Sequence, residues 1–170
     1  MAAYGSGSPE AELTRLMKNY EADVVRLCFL YLRDLSLAED AAQETFLKVY
    51  RSIGMFRIES SEKTLLMRIA INTCKDIRRG AWFRHVDRSV SLDHLPSPSV
   101  PAKTESILLT LDVMQLPLRE REAVLLRYWQ NMTIEDVAEV LGISGAAVSK
   151  RLKRAHQKLH MAWEGGNQHA

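Results

Sequence analysis

Between Lys150 and Lys158 the chain carries five Lys/Arg and no acid: Lys150, Arg151, Lys153, Arg154 and Lys158. Val148, Leu152, Ala155 and Leu159 recur among them at helical spacing, so one face of a helix is apolar and the opposite face largely cationic. Cations in that density neutralise phosphates, and a helix of this kind fits the major groove of duplex DNA. A second cluster, Asp40, Gln43 and Glu44, falls at i, i+3 and i+4 and forms one stripe of acceptors. Such a stripe offers docking points to Arg and Lys of a partner helix pair, with Phe46, Leu47, Val49 and Tyr50 as apolar anchors beside it. In a third cluster the amide of Asn72, able to bond a base edge in two places, is followed by Lys75, Arg78 and Arg79 at helical spacing. An amide with a row of cations suits nucleic acid, the amide toward a base edge and the cations toward the backbone.

Other chemistry is thinly represented. The chain has no Gly-rich phosphate loop and no nucleophile motif, so an enzyme is not expected. His156 and His160 are four apart, but no further ligand stands near them in sequence. Cys28 and Cys74 are the only cysteines and form no CxxC, so neither a metal nor a cofactor is expected. Both sit in apolar helical contexts that predict buried free thiols and a reduced, cytoplasmic protein. The most apolar run, VVRLCFLYL, is short and broken by Arg26, so no membrane insertion is expected. The opening AAYGSGSPE has neither the basic region nor the apolar core of a signal peptide.

The elements that must position these groups are helical. Ile134, Val137, Ala138 and Leu141 line one face of a short helix, with Thr133 and Asp136 as its capping box. Gly142 follows where a helix end needs a left-handed residue, and Ser144 can cap the basic helix. Upstream, the spacing predicts helices over 10–33, 36–53 and 62–82; Ser36 with Glu39 is a capping box for the second, and Gly54 can end it. The stretch 84–104, RHVDRSVSLDHLPSPSVPAKT, holds three of the five prolines and reads as a semi-extended linker. After it, Pro117 separates helices near 105–116 and 119–130. The expected fold is all-α: two small helical domains, 10–83 and 105–163, joined by a Pro/Ser-rich linker over 84–104, the second ending in a helix-turn-helix.

Across its 170 residues the chain is 46% hydrophobic and 26% charged, which suits a soluble globular protein. Its net charge of +2 is too small for the molecule to coat nucleic acid indiscriminately, so attraction must come from local patches. The helix-turn-helix alone leaves open an operator-binding regulator or a helical protein adaptor.

Three segments in order resolve that choice by resemblance. AEDAAQETFLKVYRSI, Ala38–Ile53, resembles the core-polymerase-binding helix of bacterial RNA polymerase sigma factors of the small extracytoplasmic-function (ECF) type. FRIESSEKTLLMRIAINTCKDIRR, Phe56–Arg79, resembles their segment that melts and reads the promoter −10 element. The stretch from Leu116 to Leu159 resembles their C-terminal domain, which reads the −35 element. The resemblance implies a promoter-specificity subunit that directs polymerase to both elements and initiates transcription. Asp40, Gln43, Glu44, Phe46, Leu47 and Tyr50 would then face the clamp coiled coil of the largest subunit of the bacterial RNA polymerase core. Glu59, Ser60 and Ser61 would line a pocket for a flipped −10 base, with Asn72 reading it and Lys75, Arg78, Arg79 and Arg84 on phosphates. Ser149, Lys150, Lys153 and Arg154 would meet the −35 major groove and Thr133 a phosphate at the head of its helix. An anti-sigma factor that masks these faces is the further partner implied. Four residues depart from the family pattern. Leu65 follows Thr64 where a Trp is usual, Ser149-Lys150 reverses the usual basic-then-polar order on the reading face, and Lys153 stands where a bulkier residue is common. Trp82 and Phe83, just after the Asn72 helix, are expected to pack on the linker, with stacking on DNA as the alternative.

Overall fold

The structure, a computed structural model, describes residues 7–55, 60–80 and 104–167, without the side chains of 104–107 and 166–167. The described residues are helical, with no strand among them, and divide into two compact units, Met1–Pro96 and Ser97–Ala170.

The first unit is three helices. Helix α1, Pro9–Leu32, opens with Ser8 accepting from the Ala11 N–H at 3.2 Å, with Pro9 at its head and Glu10 and Glu12 in the first turn. Each is a favourable choice for that end: a side-chain acceptor, a preset φ, and negative charge against the helix dipole. Arg33 ends it in the left-handed region at φ 62°. Asp34 then caps α2, Leu35–Ser52, its Oδ1 accepting from the Leu37 N–H at 2.9 Å. The expected Ser36–Glu39 box is therefore corrected. The left-handed Arg33 turns the chain so sharply that the extended residue available to cap is Asp34, and Ser36 lies inside the helix. Helix α3, Glu62–Arg79, is capped by Ser61, which accepts from the Thr64 N–H at 3.1 Å. It stops earlier than the 82 expected, at Gly80 in an extended conformation; Trp82, Phe83 and Arg84 lie outside the described residues.

The core of this unit follows from which faces are small and which are large. Ala38, Ala41 and Ala42 on α2 let it lie close to the large buried face of α1, which includes Leu27, Phe29, Tyr31 and Leu32. Leu65, Leu66, Met67 and Ile71 of α3 close the third side, so the Leu65 that replaces an aromatic is a core residue. Cys28 and Cys74, distant in sequence, meet inside this core as buried free thiols. The hydrogen bond to Cys28, with burial, pushes the Cys74 thiol well above its usual range.

In the second unit α4, Thr104–Gln115, is followed by Pro117 and α5, Leu118–Val124. The Arg121 guanidinium turns back to donate to the Met114 carbonyl at 2.7 Å, satisfying the end of α4. The single helix expected over 119–130 is two elements: α5 gives way to a π-turn, Leu125–Trp129. Here the Gln130 N–H reaches back to the Leu125 carbonyl at 3.1 Å. Helices α6, Ile134–Leu141, and α7, Gly145–Asn167, complete the unit. Helix α7 runs past 163, the expected end of this domain. Val113, Met114, Leu125, Leu126, Val137, Val148 and Ala155 form the core between them.

Candidate nucleic-acid and protein interfaces

The helix-turn-helix is built as its residues dictate. The Asp136 N–H donates to Thr133 Oγ1 at 3.1 Å, and the Thr133 N–H donates to Asp136 Oδ2 at 3.2 Å, a complete capping box. Gly142 stands at φ 65°, a left-handed position where other residues are strained. The Ala147 N–H donates to Ser144 Oγ at 3.1 Å, starting α7 within two residues of the turn. Val148, Leu152 and Ala155 face inward, and Ser149, Lys150, Lys153 and Arg154 are exposed.

The five cations of α7 do not act alike. Arg151 Nη1 lies 2.8 Å from Glu122 Oε1 and Lys158 Nζ 3.2 Å from Glu120 Oε1, both acids on α5. Glu120 is raised by burial, but Lys158, its own backbone N–H and the nearby Arg154 bring it below the usual carboxylate range. Two cations therefore fasten the helix, and Lys150, Lys153 and Arg154 remain with Ser149 on the outer face. The spacing alone places Lys150, Lys153 and Arg154 on the outer face, but not the anchoring of Arg151 and Lys158, because the acids that hold them lie 29 and 38 residues away. At the head of α6, the Thr133 hydroxyl is engaged in the cap, and Glu135 and Asp136 in the first turn offset the attraction of that end for a phosphate.

In the first unit Asp40 and Gln43 are exposed and Glu44 half-buried along α2. Their apolar neighbours separate. Phe46 is 4% exposed and belongs to the core, whereas Leu47 is 46% exposed beside the acceptor stripe. Tyr50 is half-buried and its hydroxyl donates to Glu10 Oε1 at 2.9 Å, tying α2 to the start of α1.

On α3, Asn72 and Arg79 are exposed and Lys75 and Arg78 half-buried. Two residues that sequence reasoning passed over join this face. Lys48 reaches from α2 to donate to Thr73 Oγ1 at 3.1 Å, and its ammonium lies 4.0 Å from Asp76 Oδ2. Asp76 also holds Arg79 at 3.2 Å, so the row is not uniformly cationic. Lys48 stands four residues after Glu44 on α2, and only the packing of α2 on α3 brings it to this face. Of the loop residues, Ser60 is half-buried and Ser61 exposed, its hydroxyl serving the α3 cap, while Glu59 lies outside the described residues. The start of α3 is held from α1: Arg15 pairs with both Glu12 and Glu62, which keeps its guanidinium firmly charged.

The described residues contain no group of three or more His, Cys, Asp or Glu placed to hold a metal, and no helix long and apolar enough to cross a membrane.

Residues 16–84 match Sigma-70 region 2, and residues 113–159 match Sigma-70, region 4. The chain is 32% identical over 161 residues to the RNA polymerase sigma-H factor of Pseudomonas aeruginosa, covering 86% of this chain and 83% of that one. It is 31% identical over 160 residues to the ECF RNA polymerase sigma factor SigM of Mycobacterium tuberculosis, covering 94% and 80%. Its fold is similar to that of the sigma factor RpoE of Bartonella quintana, solved in complex with the anti-sigma factor NepR. The TM-score is 0.75 at 19% identity, over 90% of this chain and 97% of that one. Two helical units, the second with a basic reading helix, together with these similarities, lead to one assignment: the chain belongs to the ECF family of RNA polymerase sigma factors.

Proposed function

We propose that this promoter-recognition subunit of RNA polymerase divides its work between the two units. Residues 10–83 hold the core enzyme and open the −10 element, residues 105–163 read the −35 element, and 84–104 tether them. Asp40, Gln43, Glu44 and Leu47 meet the clamp coiled coil of the largest subunit, with Phe46 and Tyr50 setting the helix from behind. Asn72 bonds the edges of a flipped −10 base beside Glu59, Ser60 and Ser61, while Lys75, Arg78 and Arg79 hold the melted strand. Ser149, Lys150, Lys153 and Arg154 enter the −35 major groove, and Thr133 brings the backbone N–H groups at the head of α6 toward a phosphate. The chain catalyses nothing; strand opening comes from trapping unstacked bases. An anti-sigma factor would cover these faces, as the structural neighbour in complex with one illustrates for that protein.

One observation carries the −35 reading. Arg151 and Lys158 are anchored to α5, so the exposed Ser149, Lys150, Lys153 and Arg154 are presented on a helix whose orientation is fixed. Two weak contacts on one tether become a specific one through effective concentration, which suits a chain of small net charge.

The −10 assignment is tested by transcription from closed and pre-melted promoter templates. Asn72→Ala should slow opening of the closed template and relax base preference at one −10 position, at a cost of about 1–3 kcal/mol. Equal losses on the pre-melted template, with base preference intact, would refute the role.

A further inference from the structure

The π-turn Leu125–Trp129 belongs to a rare class of element that recurs at functional sites. Tyr128 projects from it 51% exposed and lies against α7, its hydroxyl 3.0 Å from His156 Nε2 and the ring centroids 5.8 Å apart. Arg127, whose Nη1 donates to the Met132 carbonyl at 3.0 Å, holds its guanidinium 5.6 Å from the centre of the Tyr128 ring. His156 is exposed and follows Ser149 by seven residues and Lys153 by three, so it continues their stripe toward Tyr128. A phenol, an imidazole and a guanidinium from two elements thus stand together at one edge of the reading face.

We infer that Tyr128 and His156, flanked by Arg127, form a seat for a backbone phosphate beside the element read by α7, and that proton uptake by His156 strengthens it. This rests on α7 being a DNA-contacting helix. The hydrogen-bond count supports it. With a neutral imidazole, either the Tyr128 O–H donates to Nε2 and leaves Nδ1–H outward, or Nε2–H donates to Tyr128 Oη and leaves the O–H outward. Each arrangement offers one outward donor. With an imidazolium, Nε2–H donates to Oη, and both Nδ1–H and O–H face outward with a positive charge. The pair then has two donors and a cation, the combination that binds phosphate most strongly.

The neighbouring charges link the proton to the DNA. Around His156 stand Arg127, held over the same Tyr128 ring, and Lys153 three residues back on α7, while His160 one turn on lies 3.4 Å from Glu164. Among the acids of α5, Glu120 is turned to Lys158 and Arg154 and Glu122 to Arg151. A phosphate at the Tyr128–His156 edge supplies a negative charge to this group. Proton uptake and DNA binding must then favour each other reciprocally, in the range between about pH 5 and 8 where histidine as a class changes charge.

The test uses holoenzyme reconstituted with core polymerase and a labelled promoter duplex that it transcribes, with the −35 segment intact or scrambled. Wild type is compared with His156→Gln, His156→Lys and Tyr128→Phe at about pH 6 and about pH 8, across a salt series. Wild type should tighten on acidification by about twofold to fivefold more than His156→Gln, the size of one exposed charged contact. His156→Lys should bind tightly at both pH values, and Tyr128→Phe should lose part of the acid gain. At the lower pH, His156→Gln should also reduce the slope of log affinity against log salt by about 0.9. If binding depends on the −35 segment but His156→Gln follows wild type in pH and salt, the phosphate seat is wrong. If wild-type binding ignores the −35 segment at both pH values, the reading of α7 falls and the seat with it.

Discussion

Phe46 and Leu47 are neighbours on α2, yet one is buried and the other exposed, so on the proposed docking role of α2 substituting each separates folding from docking. Phe46 is 4% exposed among the helices of the first unit. Phe46→Ala should cost about 3–5 kcal/mol of folding free energy, since it removes a buried ring and leaves a cavity. Leu47 is 46% exposed, so Leu47→Ala should change stability by no more than about 0.5 kcal/mol. Its effect belongs to binding. Full burial of a leucine side chain is worth about 1.5–3 kcal/mol, and the exposed share leaves roughly 0.7–1.4 kcal/mol to be gained on docking. At about 1.4 kcal/mol per tenfold, Leu47→Ala should weaken affinity for core polymerase by about threefold to tenfold. Thermal melting of the full chain and competition for core against a labelled sigma factor measure the two effects. If Leu47→Ala melts as early as Phe46→Ala, or leaves core affinity untouched, the assignment of α2 faces is wrong.

Two other perturbations follow from the α5–α7 anchors. Arg151→Met should destabilise the second unit by about 1–3 kcal/mol, less than for a fully buried pair because Arg151 is 19% exposed. Lys153→Ala should melt like wild type and instead reduce the salt slope of promoter binding by about 0.9; melting curves and a salt titration distinguish the two. Because the folded chain holds Glu120 below its usual 4.5, its contribution is complete above that pH and is lost as pH falls through the depressed folded value. Glu120→Gln should therefore lower stability at neutral pH by about 0.2–1 kcal/mol, a difference that closes on acidification. A gap between the melting curves that widens toward acid would contradict the sign.

Much of the fold was legible because local chemistry agreed with global packing. The Thr133–Asp136 box, the left-handed Gly142 and the Ser144 cap lie within a dozen residues, and each stands as its residue type requires. The α2 cap was misread because Asp34 and Ser36 are both good capping residues, and the sharp turn at Arg33 decides between them. The π-turn escaped notice because an apolar run such as VLL satisfies a helix and a wider turn equally. At the candidate site, sequence spacing found exposed side chains on single helices but not pairings across them. Lys48 with Thr73, Arg151 with Glu122 and Tyr128 with His156 are separated by 25, 29 and 28 residues, and only the packing of whole helices brings them together.

The central claim, that this chain directs core polymerase to promoters by docking through the acceptor stripe of α2, is tested most directly by transcription in vitro. Core polymerase is supplied with a library of genomic fragments and either the wild-type chain or the doubly substituted Asp40→Lys/Glu44→Lys chain. Both residues are accessible on α2 and outside the core, so the variant should melt with wild type. Wild type should start a discrete set of new transcripts whose upstream regions share two elements at fixed separation, and the variant should start few or none. No new transcripts with wild type, or an undiminished set with the variant, would contradict the account.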